Sequence, residues 1–274
     1  MRILPRKGTG LALSEESVDH VLYEEKGTVA LITFNRAEKL NAMNTSVVRR
    51  LTDLFERVDR SEKIRAAILT GKGRAFVAGA DIEEYSGQSF AAFSEYQARG
   101  RRMYEAIEFN RKPFIAAVNG FALGGGFEMA LACDLLVASS EAALGLPEIH
   151  LGLLPGGGGT QKLARLVGRN LAKEFLMTGR RMTAEEGLRL GIVNKVVEHE
   201  SLLEESLDLA ERLARRAPHA VREAKRLVNQ GIESHMEVAL SLEQATLSNL
   251  YQTEDAQEGI RAFVEKRKPS FKGE

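Results

Sequence analysis

Two glutamates stand in turns marked by glycine or proline: Glu128 closes the run Gly124-Gly125-Gly126-Phe127-Glu128, and Glu148 closes Gly145-Leu146-Pro147-Glu148. A pair of carboxylates beside exposed backbone N–H groups can move a proton on and off a carbon next to a thioester. The glycines matter as much as the acids. Gly120-Phe121-Ala122-Leu123-Gly124-Gly125-Gly126 follows an apolar run and leads into Phe127-Glu128-Met129-Ala130-Leu131, whose composition suits a helix. Glycine lets a ligand approach the main chain closely, and the first N–H groups of a helix lack internal partners, so such a junction favours an anionic oxygen. Glu128 lies three residues beyond Gly125, close to one helical turn, so its carboxylate and the Gly125 N–H can border one pocket. The same spacing also suits a glycine cluster needed only for tight packing, with Glu128 complementing the helix dipole.

A second source of N–H groups is suggested by Ala78-Gly79-Ala80-Asp81-Ile82-Glu83, where small residues leave room for a substrate and Asp81 suits the cap of a helical turn. Alone this segment reads as a plain loop; paired with the glycine turn it completes a two-donor oxyanion hole.

Other chemistries lack their residues. No G-x-G-x-x-G with an acidic residue on the next strand is present, so a dinucleotide fold is excluded. Gly71-Lys72-Gly73-Arg74 lacks the closing Lys-Ser/Thr of a phosphate-binding loop, and Gly156–Gly159 is followed by Thr160-Gln161, which reads as a tight loop before a helix. The five histidines, His20, His150, His199, His219 and His235, show no metal-ligand spacing, and no metal is expected. His150, two residues after Glu148, could line the same pocket, but the better reading is a surface or packing histidine. Cys133, the one cysteine, lies in an apolar stretch and reads as a small buried hydrophobe in a reducing compartment.

The elements that must position these groups follow from periodicity. Short strands are predicted at Val21–Tyr23 and Thr28–Phe34, joined through Lys26-Gly27. From Thr45 to Val58 the apolar positions Val47, Val48, Leu51, Leu54, Phe55 and Val58 keep helical spacing, and a strand follows at Ile64–Leu69. Phe90–Phe109 reads as a helix, Pro113–Val118 as a buried strand, Phe127–Leu131 as a helix and Leu135–Ala138 as a strand. Beyond Thr160 only Gly191–Val197 reads as a strand. The rest is helical: Leu163–Val167, Leu171–Thr178, Ala184–Leu190, Leu202–Arg216, Ala220–Gly231, Met236–Leu250 and Thr253–Lys266. An α/β core at 17–200 is therefore expected, preceded by a loose tail at 1–16 and followed by a helical region at 201–274. With 274 residues the chain suits one large core carrying a helical appendage. Lys plus Arg and Asp plus Glu both number 38, so nothing in the overall charge asks for nucleic acid. No apolar run approaches the ~18 residues of a membrane span, the start lacks a signal-peptide pattern, and a cytoplasmic protein is expected.

Three segments together resemble the crotonase superfamily, and in particular the enoyl-CoA hydratases: Phe76-Val77-Ala78-Gly79-Ala80-Asp81-Ile82, Ala116 through Glu128, and Pro147-Glu148-Ile149 with Leu151 through Gln161. The likeness runs in order from Val21 to Lys272. It implies a spiral of ββα units, a helical C-terminal trimerisation region and a homohexamer built as a dimer of trimers. It also implies that the Ala80 and Gly125 N–H groups bind the oxygen of an acyl-CoA thioester, with Glu128 as the base that activates water and Glu148 as the acid. The coenzyme A portion is substrate, and no separate cofactor is implied. Its matching positions are Lys39, Leu40, Arg74, Ala78 and Ile82, with Phe263 and Lys266 reaching from a neighbouring subunit. Leu146 departs from the several hydratases that carry a polar residue there, which bears on substrate preference rather than reaction type. In this superfamily double-bond isomerases resemble one-glutamate enzymes, whereas the pair favours addition of water to a trans-2-enoyl-CoA in fatty-acid β-oxidation or related degradation. The alternatives are a Δ3,Δ2-enoyl-CoA isomerase, a 3-hydroxyacyl-CoA dehydratase and a catalytically silent member that binds RNA or a partner.

Overall fold

A computed structural model of the chain describes residues 19–274; the tail at 1–16 lies outside the described residues. Among the described residues, ten strands form two sheets. The larger takes β1 (Val21–Lys26), β2 (Val29–Phe34), β3 (Ala66–Gly71), β5 (Phe114–Val118), β7 (Leu135–Ser139) and β10 (Lys195–Val197), in that spatial order. The smaller takes β4 (Ala75–Val77), β6 (Phe121–Leu123), β8 (Ala143–Gly145) and β9 (Arg181–Thr183). The β1–β2 hairpin turns through Gly27, whose φ of 63° is one that glycine adopts without strain. From β2 to β10 the large sheet is parallel.

Parallel strands need covering on both faces, and the apolar runs of β2, β3, β5 and β7 supply two. One face carries Ala30, Ile32, Leu69, Ala116 and Val118 into the main core. There α1 (Thr45–Arg60) meets it with the six apolar residues that helical spacing selected, all buried. Asn44 starts that helix by accepting a hydrogen bond from Val47 N at 2.9 Å. Phe55 packs edge-on against Phe114 with ring centroids 5.4 Å apart, and truncating the whole buried ring in Phe55→Ala costs about 3–5 kcal/mol. The other face carries Val29, Leu31, Ile68, Ile115 and Val137 under Leu202, Ala210 and Ala214. Those three residues belong to α8 (Leu202–Ala214), which by packing is part of the core.

Three successive units repeat one plan. Each sends a strand to the large sheet, a three-residue strand to the small sheet, and then a helix. The pair β3–β4 leads to α2 (Ile82–Tyr85) and α3 (Phe90–Glu108), β5–β6 leads to α4 (Gly125–Ala132), and β7–β8 leads through a 3-10 turn to α5 (Gly159–Val167) and α6 (Arg169–Thr178). Two buried asparagines pin the first crossing: Asn41 and Asn119 donate through Nδ2 to the Ala75 carbonyl at 2.7 and 3.2 Å. The loops that leave the small strands β4, β6 and β8 all open toward one side, and the two glutamates stand there.

The small sheet is absent from the expectations drawn on periodicity, because three-residue strands carry no measurable period. The expected strand at Gly191–Val197 shrinks to Lys195–Val197, since Gly191 takes φ 74° and the segment turns after α7 (Ala184–Arg189). Beyond α8, the helices α9 (Pro218–Gly231), α10 (Met236–Tyr251) and α11 (Glu254–Val264) form an outer layer. Pro218 occupies the first helical position, where its missing N–H costs nothing. Lys225, almost fully buried, ties this layer to the core by donating to Asp134 at 2.9 Å and to the carbonyls of Ile107 and Lys112.

Candidate active site

Glu128 projects from α4, whose cap residue Gly124 has φ 53° and ψ −127°, a conformation open only to glycine. The helix begins at Gly125, two residues before the predicted start, so the Gly125 N–H is itself one of the unsatisfied first-turn donors. Glu128 is 3% exposed, and its Oε1 accepts hydrogen bonds from Gly157 N at 2.7 Å and Gly159 N at 2.8 Å. Burial raises its pKa, while the two N–H bonds and the more distant Lys162 ammonium pull the other way. The glycine run expected as a tight loop before a helix is that loop, and it is also the cradle of a carboxylate. Its lack of side chains is required: a Cβ at 159 would lie 3.0 Å from Glu128 Oε1 and 2.9 Å from Leu146 Cδ1.

Glu148 sits in the 3-10 turn Pro147–Leu151, opened by Pro147 and closed by Gly152 in the left-handed region. Its Oε2 is buried without a hydrogen-bond partner among the described residues. Burial pushes its pKa up to about 7, and the charge of Glu128 adds to the rise. Gly124 faces it closely, since a Cβ there would lie 3.0 Å from Glu148 Oε1.

Both carboxylates line one pocket of about 330 Å³, whose wall includes Ala78, Ala80, Ile82 and Gly125. Ala80 makes a parallel bridge with Met43: Met43 N donates to the Gly79 carbonyl and Asp81 N donates to the Met43 carbonyl, both at 2.9 Å. In a parallel ladder that pattern turns the N–H of the residue between them to the opposite side. Neither the Ala80 nor the Gly125 N–H has an acceptor among the described residues. Asp81 precedes α2 as expected but does not cap it. Its carboxylate is drawn instead to Arg36 Nη1 at 2.6 Å, a charge-assisted bond stronger than a cap.

The remaining expected residues are dispersed. Lys39 is exposed and pairs with Glu83 at 3.1 Å. Leu40, in the left-handed region, accepts Ala78 N through its carbonyl. Arg74 is exposed at the start of β4, while Phe263, 85% exposed, and Lys266 lie at the end of α11. None of these five lines the pocket with the glutamates, whereas His150, read first as a surface or packing residue, is exposed and does line it. Residues that sequence reasoning missed are Gly157 and Gly159 as donors to Glu128, and Tyr104, whose hydroxyl donates to the Gly125 carbonyl at 3.0 Å. The four-glycine run after Pro155 was the available signal for the first two; nothing in the spacing of α3 singles out Tyr104.

The family model for enoyl-CoA hydratase/isomerase matches residues 24–274. The chain belongs to the enoyl-CoA hydratase/isomerase family. It is 40% identical to the short-chain-enoyl-CoA hydratase of Clostridium acetobutylicum, over 92% of this chain and 97% of that one. It is likewise 40% identical to the crotonyl-CoA hydratase of Syntrophomonas wolfei, over 92% and 98%. The crystal structure of an enoyl-CoA hydratase from Bacillus anthracis superposes with a TM-score of 0.91 at 38% identity, covering 93% of this chain and all of that one. The expected crotonase-like α/β fold with a helical C-terminal region is therefore the fold of this family member.

Proposed function

We propose that this chain acts as a hydro-lyase that adds water across the Cα=Cβ bond of short- to medium-chain trans-2-enoyl-CoA thioesters, giving 3-hydroxyacyl-CoA. The observation that carries the reading is the convergence of a buried and a half-buried carboxylate, differently held, and two unengaged N–H groups on one pocket. Glu128, with its charge held by two N–H bonds, takes a proton from water as the water oxygen bonds to Cβ. Electron density moves through Cα toward the thioester oxygen, where the Ala80 and Gly125 N–H groups receive it. Glu148, whose pKa of about 7 leaves it partly protonated near neutrality, delivers a proton to Cα. The two groups are coupled, so their apparent pKa values belong to the pair.

Ala78 and Ile82 on the pocket wall suit the pantetheine arm of the substrate, and exposed Lys39 and Arg74, with Leu40, suit its phosphates and nucleotide. Phe263 and Lys266 are assigned to the adenine end bound in a neighbouring copy. A homohexamer of two trimers is supported by apolar side chains left exposed on the outer helices, among them Val228, Met236, Leu247 and Val264. No further cofactor enters this chemistry. The lone cysteine supports a reducing compartment such as the cytoplasm.

Hydration of crotonyl-CoA, followed as loss of absorbance at the enone band, tests the reading. Turnover by the wild type that is lost in Glu128→Gln and in Glu148→Gln is expected. An inactive wild type, or full activity in both variants, rejects it. An isomerase acting with one glutamate would keep its double-bond shift in one of the two variants.

A further inference from the structure

Tyr104 stands where the two halves of the site meet. It lies near the C-terminal end of α3, is 7% exposed, and donates its hydroxyl to the Gly125 carbonyl at 3.0 Å. On its other side the ring presses on the main chain of Gly157: a Cβ at 157 would lie 2.2 Å from Tyr104 Cε2. Gly157 is one of the two residues that hold Glu128 Oε1. One side chain therefore touches both the residue that supplies a free N–H to the pocket and the residue that cradles a carboxylate. Gln97, seven residues earlier and so on the same face of α3, backs Gly156 in the same way, with its Oε1 2.7 Å from the place a Cβ would take. The helix thus offers the glycine loop a continuous ridge, and Tyr104 adds the directional bond.

Such a bond has work to do at Gly125. Two glycines open α4; the Gly125 N–H lies in the Gly124–Gly125 peptide and the carbonyl that Tyr104 holds lies in the next one, so the bond acts on the N–H through the Gly125 Cα. An N–H that stabilises developing charge must be aimed before the reaction begins, and a misplacement of ~1 Å can cost on the order of 10² in rate. Tyr104 holds the Gly125–Gly126 peptide from a buried helix. Burial, and then the charge of Glu128, raise the phenol pKa well above its usual value, so the hydroxyl remains a donor across the working pH range.

We propose that Tyr104 is a positioning residue: its hydroxyl anchors Gly125 through the carbonyl, steadying the Cα on which the Gly125 N–H hinges, and its ring fixes Gly157 beneath Glu128, so one side chain aligns oxyanion donor and base. The proposal rests on the hydratase reading. Tyr104→Phe keeps the ring on Gly157 and deletes only the hydroxyl. Its kcat for crotonyl-CoA hydration is expected to fall roughly 10-fold, with KM changed by less than about 2-fold. A second readout needs no turnover: the infrared band of the thioester carbonyl of bound butyryl-CoA, a saturated ligand, is expected to move toward its free-solution position in the variant. Tyr104→Leu, which also removes the ring from Gly157, is expected to lose more kcat than Tyr104→Phe. Wild-type kcat with an unmoved carbonyl band in Tyr104→Phe overturns the proposal, as does a loss confined to KM. An inactive wild type strikes at the hydratase reading instead, while the carbonyl band still judges Tyr104.

Discussion

The turn that carries Glu128 and the turn that carries Glu148 treat the same carboxyl group in opposite ways. The first buries it and gives one oxygen two backbone N–H bonds, while the second leaves it half-buried with one oxygen unpartnered. Desolvation raises both pKa values, but only Glu128 has N–H donors from another loop that hold its charge. In the proposed roles, a base that must be ionised and an acid that must hold its proton can therefore share a pocket at one pH. Main chain leads the difference, with the charges of Lys162 and of Glu128 itself adding to it.

The largest effect that tests this contrast is removal of either carboxyl. Glu128→Gln and Glu148→Gln are each expected to lower kcat by about 10² to 10⁴, and the double variant to fall little below the worse single one because the groups act as a unit; steady-state hydration kinetics decides. Next comes the cradle. Gly159→Ala places a Cβ against Glu128 Oε1 and Leu146, and is expected to lower kcat by roughly 10-fold with a lower Tm. Full activity in that variant would mean that the loop accommodates a Cβ beside Glu128 without displacing the carboxylate.

The pH profile sharpens the contrast further. Glu148 loses its proton through about pH 7, so kcat/KM is expected to decline above neutrality, and the residual activity of Glu148→Gln to lack that alkaline limb. Smallest of all is an effect on stability. A carboxyl whose pKa is higher folded than unfolded binds its proton more tightly in the native state, so its contribution is full below about 4.5 and is lost as pH rises through about 7. Glu148→Gln is therefore expected to gain Tm over the wild type at pH 8 and to lose most of that gain at pH 5, which thermal melts at the two pH values would settle.

Legibility followed element length. The core face of α1 could be read residue by residue from Val47 to Val58, and the large sheet could be read from its apolar runs, because these segments are long enough to show a period. Strands of three residues cannot, so β4, β6, β8 and β9 went unread although the first three carry the site loops. Spacing linked Glu128 to Gly125; the link between Glu148 and Ala80 came from the resemblance, since these partners are separated along the chain and meet only through the small sheet. Asp81 looked like a cap because the chain could not reveal that Arg36 lies 2.6 Å away. Gly157 and Gly159 looked like loop glycines because a main-chain donor has no letter of its own.

That last point reaches Ala80. The group proposed to work there is an N–H turned away from Met43 by a single β-bridge, and every residue except proline would carry the same group. An alanine scan skips position 80 altogether, and a side-chain comparison between relatives could pass over it unnoticed. The atom becomes visible only to chemistry that edits the backbone, such as replacing the amide that joins Gly79 to Ala80 with an ester. A site half written in main chain is partly hidden from genetics.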